Sequence, residues 1–392
     1  MFSTRLQWSE PTNPLSQLLT QLRQAQQRIF DLTESNPTGV GLLYPSAITT
    51  ALGSPESLRY QPTPQGLLIA REGISAYYQQ RGLVVSPEQL FLTTSTSEAY
   101  SLLFKLLADP GDTILIPSPS YPLFSFLAQL ESVKLSEYPL FYDGSTWRID
   151  THTLKEKAKH AKAIILVSPN NPTGSFLHQS ELEVLRELNL PIIADEVFGD
   201  YLASPEPDAV FSLAEERRAP GFVLSGLSKV LGLPQLKLGW VLPFGTEKFT
   251  QEASLHLELL LDTYLSVGAP IQHAAPYLLD MFPLLAGQIA ERVTENRRAL
   301  AGLISQDSPV SVLGVEGGWY AVLRVPTVHT EDEWCMMLLE RDSVYVHPGY
   351  FFDFEAEAFL VLSLLPRPEL FQEGARRLLT RIEIETSPAE PS

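Results

Sequence analysis

Between about residues 65 and 245 the chain alternates two hydrophobic periods, and no other feature constrains its fold as much. Short runs rich in Ile, Val and Leu are bounded by turn residues and separated by stretches with amphipathic helical spacing. Leu90–Thr93, Thr113–Pro117, Ala163–Val167, Pro191–Ala194 and Phe222–Leu224 read as strands, with helices over Ser97–Ala108, Tyr121–Leu130 and Gln179–Leu188. Strands buried on both faces read as continuous apolar runs, and parallel neighbours need a crossover helix. The pattern therefore predicts an α/β protein with a mostly parallel sheet between helices. Residues 14–30 read as helical and 31–46 as a loop. Residues 270–304 read as one long helix, followed by a strand–helix–strand–helix tail: Trp319–Val325, Glu331–Arg341, Phe359–Leu364, Pro368–Ile384. Thr386–Ser392 reads as a frayed end. A composition shift near 265–275 marks the main boundary, giving an arm that is also part of the small domain (1–46), a large domain (47–270) and a smaller C-terminal α+β domain (271–392), a two-core arrangement that 392 residues favour.

Charge and cysteine narrow the function. With 28 Lys+Arg against 46 Asp+Glu the net charge is −18, which argues against a nucleic-acid or anionic-membrane partner, since phosphates reward clustered cations. One cysteine, Cys335, excludes a disulfide framework within the chain and fits a reducing compartment. The seven histidines lack metal-ligand spacing, so no metal site is expected. The N-terminus, with Arg5, Glu10, Pro11 and Pro14, has no apolar targeting core, and no apolar run could span a bilayer. A cytoplasmic, soluble protein is expected.

Ligands of open α/β sheets bind beyond the carboxyl ends of the strands, so the residues after each apolar run are the place to look for chemistry. Thr94-Ser95-Thr96-Ser97 enters a helix and offers hydroxyls and free N–H groups to a phosphate; a plain N-cap would use the same residues. Tyr121 leaves a proline-bounded turn. Asn170 and Asn171 are held between prolines in Ser168-Pro169-Asn170-Asn171-Pro172-Thr173-Gly174, and Asp195-Glu196 ends a strand expected to be buried. Ser225-Gly226-Leu227-Ser228-Lys229 follows the last run. Of nine lysines most sit in charged helical stretches, whereas Lys229 and Lys237 lie in an apolar, Gly-rich segment. A desolvated lysine has a lowered pKa and suits Schiff-base formation with a carbonyl; snorkelling to the surface is the plain alternative. A phosphate cradle, an aromatic, an amide, a carboxylate and a lysine at five strand ends are together what pyridoxal phosphate requires.

These motifs, with Ile193-Ala194-Asp195-Glu196-Val197, Ser228-Lys229-Val230-Leu231-Gly232-Leu233-Pro234 and Leu238-Gly239-Trp240, resemble the class I/II aminotransferases among fold-type I pyridoxal-phosphate enzymes, from about Asp31 to Arg381. The resemblance implies a seven-stranded-type large sheet and a transaminase acting on an amino acid and a 2-oxo acid. Lys229 would be the Schiff-base lysine and proton shuttle, Asp195 the partner of the pyridine nitrogen, Asn171 the donor to O3′, and Tyr121 the ring stacked on the cofactor. Ser95, Thr96 and Ser97 would hold the phosphate, with Ser225 and Ser228 nearby. Tyr60 would reach the partner subunit's phosphate in a homodimer with shared sites.

Three positions depart from the family. Phe198 stands where a tyrosine would donate to O3′, and Lys237 where an arginine would hold phosphate. Val361 stands where an arginine would hold the substrate carboxylate. Either Arg367 substitutes for the last or carboxylates bind weakly, with Asn171 supplying one donor and Ser35 falling in the loop that meets the same carboxylate; a solvated arginine and turn chemistry are the plain alternatives. The scaffold also suits a C–S β-lyase or a cyclase. A non-catalytic effector-binding module is disfavoured by the intact Lys229.

Overall fold

All five expected strands form, and three more join them in an eight-stranded sheet. The computed structural model describes residues 2–6, 13–356 and 358–387, so Glu10, Pro11 and the end of the chain beyond Ser387 lie outside it. Thr386 closes the last helix. Across the sheet the order is Phe91–Thr93, Gly239–Phe244, Gly221–Gly226, Ile192–Asp195, Ala163–Val167, Thr113–Ser118, Lys134–Tyr142 and Trp147–Ile149. The strands from Gly221–Gly226 to Lys134–Tyr142 pair in parallel; Gly239–Phe244 is antiparallel to both its neighbours, and Trp147–Ile149 is antiparallel to Lys134–Tyr142.

The apolar runs are continuous because both faces of this sheet are covered. Ile164, Ile192 and Val223 join one core with Tyr78 and Trp240, while Ile165, Ile193 and Phe222 point the other way into a core with Leu103 and Leu257. At the central strand ends two glycines allow a close approach. A Cβ on Gly226 would lie 2.9 Å from the Leu238 carbonyl, and one on Gly239 would lie 3.1 Å from Ser95. Gly239 thereby lies between the segment before Lys229 and the residue that caps the helix Thr96–Leu107.

A second layer is built on a four-stranded antiparallel sheet, Ser311–Val312, Tyr320–Arg324, Phe359–Ser363 and His347–Pro348. Trp334, Leu338, Leu360, Leu362 and Phe371 fill its core. The N-terminal stretch is shorter in helix than expected: Pro14–Gln24 is helical, and Phe30–Asp31 pairs in parallel with Val344–Tyr345. The long helix expected over 270–304 is two helices, Ala269–Asp280 and Phe282–Leu303, meeting at Met281. Pro283 has no N–H for a carbonyl one turn earlier and its ring clashes there, but it fits the first turn of a new helix. Tyr121 likewise lies outside its expected helix, which begins at Phe124, because a residue preceding proline, here Pro122, avoids the α region. Among the described residues no helix is long and apolar enough to cross a membrane.

Candidate active site

The strand ends converge on a cavity of about 260 Å³ between the two layers. Ser95, Thr96, Ser97, Tyr121, Asn171, Asp195, Phe198, Ser228, Lys229 and Lys237 line it from the large sheet, and Ser35 and Tyr320 from the other layer.

Lys229 sits in the short helix Leu227–Val230, directly after the strand Gly221–Gly226. Its backbone carbonyl accepts the Tyr201 hydroxyl, which pins the turn. The Nζ atom lies 5.0 Å from the Trp319 ring centroid and 5.6 Å from that of Phe198. Burial brings this amine down to about 8, against an opposing pull from Asp195. An amine near neutrality can act both as nucleophile and as proton carrier.

Asp195 ends the strand Ile192–Asp195. It accepts the Tyr100 hydroxyl at 2.9 Å and the Val197 N–H at 3.1 Å. Burial raises it to about 6, and neither hydrogen-bond partner brings a positive charge. A desolvated carboxylate with no cation hydrogen-bonded to it, Lys229 acting on it only through space, is what a protonated pyridine nitrogen would complete. Two further atoms support that fit: Asn171 Oδ1 and Ser225 Oγ are buried without a hydrogen-bond partner. At the other end Ser95 caps the helix Thr96–Leu107, accepting the Glu98 N–H at 3.1 Å. The N–H groups of that first turn have no carbonyl within the helix to meet. Ser228 and the exposed Lys237 complete this end. Among the described residues no group of His, Cys, Asp or Glu could hold a metal ion.

Three expected residues are not in the wall. Ser225 is buried near the end of its strand. Tyr60 is 80% exposed and lines a surface groove with Leu67, Leu261 and Leu265, outside its own chain's cavity. Arg367 is exposed at the cap of the last helix, its guanidinium lying over Gly41. Val361 is buried among Trp147, Val322 and Phe352. Residues that sequence reading missed include Tyr100, Trp319 and Tyr320. Tyr100 is one aromatic in an ordinary amphipathic helix, whereas Gly317-Gly318-Trp319-Tyr320 carries a legible signal: two glycines leading aromatics into a strand.

A cavity at the carboxyl ends of a mostly parallel sheet, with a buried lysine, a buried carboxylate and an open helix start, is the arrangement of the fold-type I enzymes. The comparisons agree. The model of the aminotransferase class I and II family matches residues 27–378, and the chain belongs to that family. It is a transaminase, moving amino groups between amino acids and 2-oxo acids. The chain is 26% identical over 387 residues to the glutamate-pyruvate aminotransferase AlaA of Haemophilus influenzae, with 93% of each covered. It is 25% identical over 367 residues to the tyrosine aminotransferase of Caenorhabditis elegans, covering 90% of this chain and 78% of that one. Among solved structures, an alanine aminotransferase from Pyrococcus furiosus superposes with a TM-score of 0.85 at 23% identity, covering 98% of this chain and all of that one (100%). That likeness shows the fold. The family is generally dependent on pyridoxal phosphate.

Proposed function

We propose that this cavity holds pyridoxal phosphate and that the chain transfers the amino group of an α-amino acid to a 2-oxo acid in two half-reactions. The observation that carries the reading is the pairing of Lys229 with Asp195. One is an amine drawn down to about 8, the other a buried carboxylate whose hydrogen-bond partners are neutral. Ser95, Thr96, Ser97, Ser228 and Lys237 hold the phosphate through hydroxyls, first-turn N–H groups and one point charge. Asp195, kept in place by Tyr100 and the Val197 N–H, holds a proton at the ring nitrogen. Asn171 would donate to O3′, Tyr121 would stack on the ring, Phe198 closes the Lys229 side, and Ser225 stands nearby, buried outside the cavity wall. When bound, the cofactor supplies an electron sink for the substrate Cα carbanion. Lys229 would then carry the proton between the substrate Cα and the cofactor, while the aromatic walls exclude water from the exchange.

The groove carrying Tyr60 supports a homodimer in which that tyrosine reaches the partner's site. The free, buried Cys335 is in keeping with work in the cytoplasm. The printed names of the relatives suggest the donors to try first: L-glutamate, L-alanine and L-tyrosine. The test is to add each to the holoenzyme and follow the cofactor spectrum, the 2-oxo acid and ammonia. Formation of 2-oxo acid matched to amination of the cofactor, without ammonia, is the expected result. Ammonia released without amination of the cofactor would make the protein a lyase.

A further inference from the structure

The cavity wall that faces the strand ends carries two hydroxyls, those of Ser35 and Tyr320. They come together through strand pairing. The Ser363 N–H donates to the Leu32 carbonyl at 2.7 Å, laying the loop of Ser35 along the strand Phe359–Ser363, and Ser363 pairs with Tyr320. Ser35 and Tyr320 therefore face the cavity side by side, and the Tyr320 hydroxyl contacts both Ser35 and Trp319. The Trp319 indole N–H lies beside that hydroxyl without reaching hydrogen-bonding geometry and is buried without a partner.

No cation joins them. Among the described residues lining the cavity the only cationic side chains are Lys229 and Lys237, both on the strand-end wall. Val361 is enclosed by apolar side chains. His347, paired with Val361, is brought down to about 4 by burial and is neutral near pH 7. Arg367 lies over Gly41.

Resting on the transaminase reading above, we propose that Tyr320 and Ser35 are the specificity-determining residues for the substrate's α-carboxyl group, held through neutral hydroxyl donors. The site consequently accepts the uncharged carboxamide of an amino acid nearly as well as the acid. The reason is a balance. A guanidinium rewards the charge it pairs with, whereas neutral donors leave the desolvation cost of a carboxylate largely uncompensated.

The experiment compares L-alanine, L-glutamate and L-tyrosine with their α-carboxamides on the holoenzyme. We expect kcat/KM for the better acid and its amide to lie within tenfold of each other. Tyr320→Phe should raise KM for both at least tenfold with kcat and the cofactor spectrum little changed, and Ser35→Ala should act in the same direction. A readout apart from turnover is the dissociation constant of 2-methylalanine and its amide, which have no Cα proton; it should rise in step with KM. Preference for the acid by tenfold or more would overturn the proposal. So would an unchanged KM in both variants, or a tenfold rise on Arg367→Ala, which would put a guanidinium at the carboxyl group. If no acid or amide alters the spectrum, the transamination assignment falls and this one with it.

Discussion

Two buried polar clusters share the segment from Asn170 to His178 and differ in how well they are satisfied. Around His178 every charge has its partner. The ring nitrogens face Glu181 at 3.2 Å and Glu316 at 3.0 Å, and Glu316 also accepts from Thr146, Phe176 and Glu206. With a carboxylate at each nitrogen, both carry hydrogen; burial alone would lower this imidazole, but those bonds carry it up to about 9. Around Lys229, by contrast, Asn171 and Ser225 keep unpaired atoms, and burial moves both Lys229 and Asp195 toward their neutral forms. The complete cluster is a tie between layers: it binds the segment before Trp319 to the loop after Asn171. The incomplete one is poised for a ligand. Unsatisfied polar atoms in a cavity locate chemistry, and satisfied ones locate structure.

The largest effect that can break this comparison is at Lys229. Lys229→Ala should lower transamination at least about 10³-fold, since it removes the proton carrier and the nucleophile together. Borohydride treatment of the holoenzyme and peptide mapping should place the cofactor-derived mass on Lys229; finding it on Lys237 would refute the assignment.

Next comes the satisfied cluster. Glu316→Leu leaves the His178 charge with one partner fewer, and removing one member of a buried ion pair costs about 3–5 kcal/mol. Denaturant melts of the variant should show that loss. Asp195→Asn, which removes a buried carboxylate whose desolvation outweighs the pull of Lys229, should leave the cofactor-free protein at least as stable while ending turnover. Equal losses in the two variants would erase the distinction.

The two clusters should also titrate with opposite sign in the cofactor-free protein. His178 rises from 6.5 unfolded to about 9 folded, so its contribution is full below pH 6.5 and is lost as pH climbs through 9. Lys229 falls from 10.5 to about 8, so the unfolded chain binds more protons between those values and stability rises with pH across them. For Lys229 the change is on the order of 3 kcal/mol. Stability curves of His178→Gln and Lys229→Met, each subtracted from the parent, should therefore slope in opposite directions.

The smallest effect sharpens the active cluster alone. Phe198 lacks the hydroxyl that would donate to O3′ and packs edge-on to Trp319 at 5.0 Å. Supplying that donor, worth about 0.5–1.5 kcal/mol, should lower the pKa of the bound chromophore by up to about one unit in Phe198→Tyr. A rise would show that the residue does not face O3′.

How much of this was legible in the sequence follows from how local each signal is. A strand announces itself over a few residues, and the residue after it must emerge at the sheet's edge. Asp195, Lys229, Asn171 and Ser95 could thus be assigned to one rim from hydrophobic period alone. The break at Met281 was also written locally, in Pro283, but a long amphipathic pattern on both sides concealed it.

Tyr100 and Glu316 had no such local mark, and the one before Trp319 and Tyr320, a pair of glycines, did not say what those aromatics would face. Tyr100 meets Asp195 across 95 residues of chain, and Glu316 meets His178 across 138. Ser35 reaches Tyr320 because Leu32 hydrogen-bonds to Ser363, a contact made only when the N-terminal loop lies on the second sheet. The sequence by itself determined the architecture, the lysine and the carboxylate, because strand periodicity and strand ends are properties of a few consecutive residues. The tertiary structure alone decided which groups orient those two and which hydroxyls, Ser35 and Tyr320, stand across the cavity from them, because those contacts exist only after distant segments are packed side by side.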